Sequence, residues 1–144
     1  MTNNSRNNIT STLGRYLSPK AKSRLRDFQK IFLSFFYSKN LNKLATIWGT
    51  DKWNDHWYTQ HYQKHFKSLR KKKIILLEIG IGGYENERGG GNSLFMWRNY
   101  FRKGRIFGMD IYDKQFLNRR RIKTFIGDQS NEESMLRIIN DIDQ

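Results

Sequence analysis

Four consecutive apolar residues, Ile74-Ile75-Leu76-Leu77, run into Glu78-Ile79-Gly80-Ile81-Gly82-Gly83. Glycines directly after a strand let the chain turn tightly and let a ligand approach backbone that any side chain would screen. A bare Gly-x-Gly is a cheap signal, but its place between an apolar strand and a following helix promotes it. The spacing is not the dinucleotide fingerprint. Gly83 and a nine-residue loop, Tyr84 to Asn92, follow where a third glycine would open a helix against a pyrophosphate. A carboxylate at the mouth of the sheet also repels phosphates and attracts a cationic ligand such as an amino acid or a sulfonium. Glu78 therefore favours S-adenosylmethionine over NAD.

Two further acids stand where such a ligand needs acceptors. Asp110, thirty residues after Gly80, ends a second apolar stretch, where one carboxylate can accept from both ribose hydroxyls. A turn residue or helix cap is the alternative there. Asp128 and Gln129 end a third stretch. An aspartate there can accept from an exocyclic adenine amine and a glutamine can read a ring edge, the alternative being a cap ahead of Asn131.

The elements that must position these residues follow from the pattern. Ile74 to Leu77 reads as a strand buried on both faces, as parallel sheets require. Ser93 can cap a helix carrying Leu94, Met96, Trp97, Tyr100 and Phe101, with Gly104 as its stop. Arg105 to Asp110 and Ile122 to Ile126 read as the second and third strands. Asn131 to Ile139 reads as a short helix with Glu132 and Glu133 at its positive end. The order predicts an α/β fold with an incomplete Rossmann-like parallel sheet of about three strands, over residues 71–144.

The chain ahead of this is different in kind. Of 27 basic and 13 acidic residues, 16 and 3 fall in residues 1–73, a balance of +13, against 11 and 10 afterwards, a balance of +1. Residues 1–18 read as a polar, flexible leader. Residues 19–70 read as a helical, aromatic-rich segment. Ser18 and Pro19 suit a helix start, and Leu25, Phe28, Phe32, Phe35 and Phe36 recur at spacings of three and four. Lys20, Lys22, Arg24, Arg26 and Lys30 line its beginning. The plain expectation is an aromatic stripe packed on the domain behind it or on a partner; the sharper one is a membrane-surface helix. Nucleic-acid binding rests on charge alone and is disfavoured.

Further on, Asp51 or Asp55 can cap a helix running to about Leu69, on which Tyr58, His61, Tyr62 and His65 share a face. His61 and His65 have a two-histidine metal spacing without the carboxylate of the zincin pattern, so packing or a pocket wall is the better reading. Zero cysteines exclude a disulfide scaffold and thiolate chemistry. The longest apolar stretch, Ile31 to Tyr37, is too short to span a membrane and is broken by Ser34. With no signal peptide, the expected address is cytoplasmic.

The run LLEIGIGGYENERGGGNSLFMWRNYF and then KGRIFGMDIYDK, with IKTFIGDQ behind it and GTDKWNDHWYTQHYQKHF ahead, resembles the macrolide-type sugar O-methyltransferases. These are class I, S-adenosylmethionine-dependent, metal-assisted enzymes of natural-product and glycan pathways. The resemblance covers about Leu41 to Ile139. It implies that Glu78, Gly80, Gly82 and Gly83 cradle the methionine end of the cofactor. It further implies Ser93 in the loop above it, Asp110 on the ribose, Asp128 and Gln129 by the adenine, and the Tyr58 to His65 face as part of the roof. The acceptor implied is a small-molecule or glycan hydroxyl.

The family's Asp-Asp-Gly-Ser-His-like segment, which supplies a divalent-metal (Mg) ligand and the general base, does not occur in this sequence. The expectation is therefore the N-terminal, cofactor-binding half of a methyltransferase domain, truncated and inactive alone, completed by a partner chain or a homo-oligomer. Its first strand should be an exposed edge. A catalytically silent cofactor-binding or interaction module, and a basic nucleic-acid or membrane-surface binder, are the rival readings.

Overall fold

A computed structural model describes residues 18–54, 56–83 and 86–143. The leader expected over 1–18 thus lies outside the described residues but for Ser18, as do Asp55 and the loop positions Tyr84 and Glu85. The elements in order are α1 (Pro19–Phe36), α2 (Leu41–Trp48), α3 (Tyr58–Phe66, followed by a 3₁₀ turn Lys67–Leu69) and β1 (Ile75–Ile79). After them come α4 (Asn92–Tyr100), β2 (Arg105–Asp110), a 3₁₀ turn Gln115–Leu117, β3 (Ile122–Ile126) and α5 (Glu132–Asp143).

The three strands form one parallel sheet in the order β1-β2-β3. Leu77 pairs with Phe107, and Asp110 with Ile126. The ladder runs on past the strand ends, with Gly80 N–H donating to Met109 O and Gly127 N–H to Asp110 O, both at 2.9 Å. The glycine bend and the two acidic strand ends are thereby held level with one another.

Helices cover both faces, as a parallel sheet demands. On one side Leu41, Leu44 and Ala45 of α2 and Leu94, Met96 and Tyr100 of α4 pack with Ile106 and Ile122. Trp48 stacks on Phe95 with ring centroids 4.9 Å apart. On the other side Ile138 and Ile142 of α5 close over Phe107 and Met109.

Several expectations need correction. β1 is not buried on both faces. As expected, it is the sheet edge, paired with β2 alone, and its end residues Ile75 and Ile79 are half exposed. Asp51 does not cap α3, whose N-cap is Trp57 in a left-handed conformation. Ser93 does not cap α4, since Gly91 occupies that position and Ser93 lies inside the first turn. Neither does Asp128 cap α5: the Asn131 side chain accepts from Ser134 N–H at 2.9 Å and starts that helix. Ser18 does cap α1, accepting from Ala21 N–H at 3.2 Å. The aromatic stripe of α1 is not packed on the domain. Its phenylalanines face outward, and Ser34 is the buried residue of the helix.

Candidate functional site

Two adjoining depressions open at the carboxyl ends of the strands, where open parallel sheets bind ligands. One, of about 240 Å³, is lined by Asp110, Ile111, Tyr112, Asp128 and Gln129. The other, of about 280 Å³, is lined by Asp51, Lys52, Glu78, Asn92 and Ser93. Gly80, Gly82 and Gly83 line both, so Glu78 and Asp110 face two ends of one cleft divided only by the glycine bend. Gly80 has φ +71°, and a Cβ built on it would meet nothing within 4 Å. The residue is glycine for its left-handed backbone and leaves open space above it. Gly83, at φ +94°, is tighter. A Cβ there would come within 2.7 Å of the Gly89 carbonyl, which fixes the returning loop against the bend.

Glu78 is held rather than free. Its Oε1 takes Lys52 Nζ and the Ser93 hydroxyl, both at 2.8 Å, and its Oε2 takes the Trp97 indole N–H at 3.0 Å. Burial pulls the Lys52 ammonium down, but the charge of Glu78 and its hydrogen bond outweigh that, and the Lys52 pKa is raised above 10.5. The network orients the carboxylate at the cleft wall while neutralising it. Ser93, expected as a helix cap and a loop residue over the ligand, is instead a donor that fixes Glu78.

Asp110 accepts Ile81 N–H on Oδ2 and Tyr112 N–H on Oδ1, both at 3.1 Å. It ties β2 to the glycine bend and starts the following turn. Asp128 accepts the Ser130 N–H at 2.8 Å and its hydroxyl at 2.7 Å; these bonds, the backbone one foremost, hold its carboxyl below the usual range. The structure thus brings Glu78, Gly80, Gly82, Gly83, Ser93, Asp110, Asp128 and Gln129 to one cleft.

Two lysines escaped the sequence reading. Lys52 sits in an aromatic stretch with no spacing signal. Lys114 is almost wholly buried, its ammonium donating to the carbonyls of Glu87 at 2.7 Å and Gly89 at 3.0 Å. It clamps Glu87 and Gly89 where the loop comes back to the glycine bend, and only that three-dimensional return reveals the role. The expected roof is not formed by α3: Tyr58, His61 and His65 are exposed and line neither depression, while Tyr62 and Phe66 pack on Trp97. Among the described residues no three His, Asp or Glu side chains gather to hold a metal. No described helix is long and apolar enough to cross a membrane.

No protein-family model matches the chain. Among curated proteins it is similar to the demethylmacrocin O-methyltransferase of Streptomyces fradiae, 45% identical over 93 residues, which are 64% of this chain and 24% of the relative. It is also similar to the mycinamicin VI 2''-O-methyltransferase of Micromonospora griseorubida, 42% identical over 100 residues, or 69% and 25% of the two chains. Solved structures of the MycE methyltransferase of mycinamycin biosynthesis, in complex with Mg and SAH, superpose with a TM-score of 0.69 at 40% identity. They cover 72% of this chain and 27% of that one. A further MycE complex, which also holds mycinamycin VI, gives a TM-score of 0.68. The chain spans about a quarter of the length of the relatives it matches.

Proposed function

From the premise that the chain is, over its matched residues, a homologue of sugar O-methyltransferases with their fold, we propose that it forms the donor-binding half of an S-adenosylmethionine-dependent methyltransferase acting on a sugar hydroxyl of a small-molecule glycoside. The supporting observation is the cleft itself: an open glycine bend, with Glu78 on one side and Asp110, Asp128 and Gln129 on the other.

In this reading the donor lies across the bend. Gly80 and Gly82 leave room for it and expose backbone to it. Glu78, set by Lys52, Ser93 and Trp97, faces the amino-acid end. Each Asp110 oxygen makes one backbone hydrogen bond and retains a lone pair for a ribose hydroxyl. Asp128 and Gln129 stand at the adenine end. When bound, S-adenosylmethionine would supply an electrophilic sulfonium methyl: the acceptor oxygen would bond to the methyl carbon in line as the C–S bond breaks, the electron pair staying on sulfur and the hydroxyl proton passing to a base or solvent. The contribution assigned to this chain is positioning, which converts an encounter into an intramolecular step. Magnesium belongs to the neighbours' complexes. The described residues offer no ligand set for it, and no step is routed through a metal. A cytoplasmic setting goes with this reading.

Calorimetric titration of S-adenosylhomocysteine into the full chain tests it. Saturable one-site binding, weakened at least about tenfold by Asp110→Ala through loss of a charged acceptor, is expected. No heat of binding at millimolar ligand would remove the assignment.

A further inference from the structure

A third cavity, of about 310 Å³, lies away from the donor cleft, between α1 and the segments that precede β2 and β3. Arg98 reaches it from α4, Arg102 from the turn after that helix, Arg120 and Arg121 from the turn into β3, and Ile31 and Phe35 from α1. Arg121 has a left-handed φ of 69° and donates to the carbonyls of Arg98 and Phe101 at 2.9 Å and of Gly104 at 3.1 Å. It fastens the end of α4 and gives the hollow its shape. The ion pairs among the described residues are Lys52–Glu78 and His56–Asp51, so no described carboxylate neutralises these arginines. Burial first, then the neighbouring guanidiniums of Arg121 and Arg119, depresses the Arg98 pKa. Like charges gathered round one hollow repel each other, and a bound phosphate relieves the repulsion with bidentate hydrogen bonds.

The hollow does not stand alone. Phe35, over which the Arg102 guanidinium sits at 5.6 Å, belongs to an outward face with Phe28, Ile31, Phe32 and Phe36, each more than half exposed. The same helix carries five basic residues and one acid. Free phosphate would need the arginines only. A phosphate that arrives with hydrocarbon explains the adjoining aromatics, and basic amphipathic helices with Phe and Leu on the apolar side lie in lipid interfaces.

We propose that the arginine hollow and the apolar face of α1 form one site for an anionic phospholipid, its headgroup phosphate held by Arg98, Arg102 and Arg120. The site is independent of the donor cleft, and its failure would leave that reading intact.

The test is co-sedimentation of the full chain with vesicles of phosphatidylcholine, alone or mixed with phosphatidylglycerol. Binding to the mixed vesicles and not to phosphatidylcholine is expected. R98Q, R102Q and R120Q should each weaken it about fivefold, the effect of one interfacial cation. K123Q and R137Q, which remove exposed charges outside the hollow, should change it less than about twofold. F28S/F32S, at exposed positions where circular dichroism should show an unchanged fold, should abolish vesicle binding while inorganic phosphate, followed by phosphorus NMR, still binds. Equal losses in the arginine and control variants would reduce the effect to net charge and overturn the site. So would binding of single-stranded RNA without vesicles, vesicle binding that F28S/F32S leaves intact, or an F28S/F32S variant that only dissociates an oligomer.

Discussion

Asp110 reaches from the end of β2 to accept the backbone N–H of Ile81 at 3.1 Å, so the acid proposed to hold the ribose also shapes the glycine bend that makes room for the donor. The two roles separate by substitution. Asp110→Asn keeps an acceptor for one backbone N–H and should lose most of the affinity for S-adenosylhomocysteine with little change in melting temperature. Asp110→Ala should lose the affinity and, through two abandoned charge-assisted bonds, about 2 kcal/mol of stability. Urea melts beside the titrations resolve the two. Equal stability in both variants would mean that the Ile81 bond does not hold the bend.

The Lys52–Glu78 pair predicts a pH profile with a definite sign. The folded-state pKa of Lys52 is raised above 10.5, so the folded protein binds that proton more tightly than the unfolded chain does. Its stabilisation is complete below pH 10.5 and is lost as pH rises through the higher folded value. Lys52→Met should cost about 2 kcal/mol at neutral pH by leaving the Glu78 carboxylate one charged donor short. The gap between wild type and variant should stay constant through pH 6–9 and shrink only in strong alkali. A gap that closes near neutrality would exclude Lys52 as its source.

Gly80 gives a sharper test of the cleft, because backbone conformation and ligand space can be varied together. Gly80→Ala places a Cβ on a residue at φ +71° with nothing near it. The left-handed backbone should cost about 1–2 kcal/mol, while the new methyl stands in the cleft. Both the melt and the ligand titration should register it. A variant that melts normally yet fails to bind would place the effect on the ligand alone.

The second and third strands were legible because Arg105 to Asp110 follows Gly104 and ends in an acid, while Ile122 to Ile126 mixes apolar and polar residues before Gly127-Asp128, and both strands occur with those bounds. The gathering of Glu78, Gly80, Asp110 and Asp128 at one end of the sheet followed from strand order alone. What sequence could not show was which groups spend the carboxylates. Lys52 lies 26 residues before Glu78, and no periodicity links them. The caps failed for a related reason. Gly91 and Trp57 take the N-cap positions in left-handed conformations, leaving Ser93 inside the first turn of its helix and Asp51 ahead of the other. The expectation that the α1 stripe packs on the domain failed because amphipathic spacing marks an apolar face without saying what covers it.

Ser34 and Trp48 show how α1 is attached despite its outward aromatics. The Trp48 indole N–H donates to the Ser34 hydroxyl at 2.9 Å, in a buried position. Ser34→Ala should orphan that N–H at about 1–2 kcal/mol and loosen α1 before the sheet melts. Hydrogen exchange would show faster amides over Pro19–Phe36 alone. Uniform acceleration across the chain would mean that the bond supports the whole core.

The exposed edge of β1 leads to the last expectation. Ile75 and Ile79 are 50% and 42% exposed, and the strand's outer backbone edge has no partner among the described residues. Such an edge is a template for pairing with another chain unless charge or a bulge blunts it. The 144-residue chain should therefore self-associate as its concentration rises. Ile75→Lys, a substitution on a half-exposed side chain, should shift sedimentation toward monomer without lowering the urea midpoint, since it adds a charge at the edge and removes little buried area. F28S/F32S separates this from association through α1. If the helix variant restores the monomer and the strand variant does not, the edge is not the contact. A monodisperse, cooperatively melting wild-type monomer at high concentration would show that β1 is already protected.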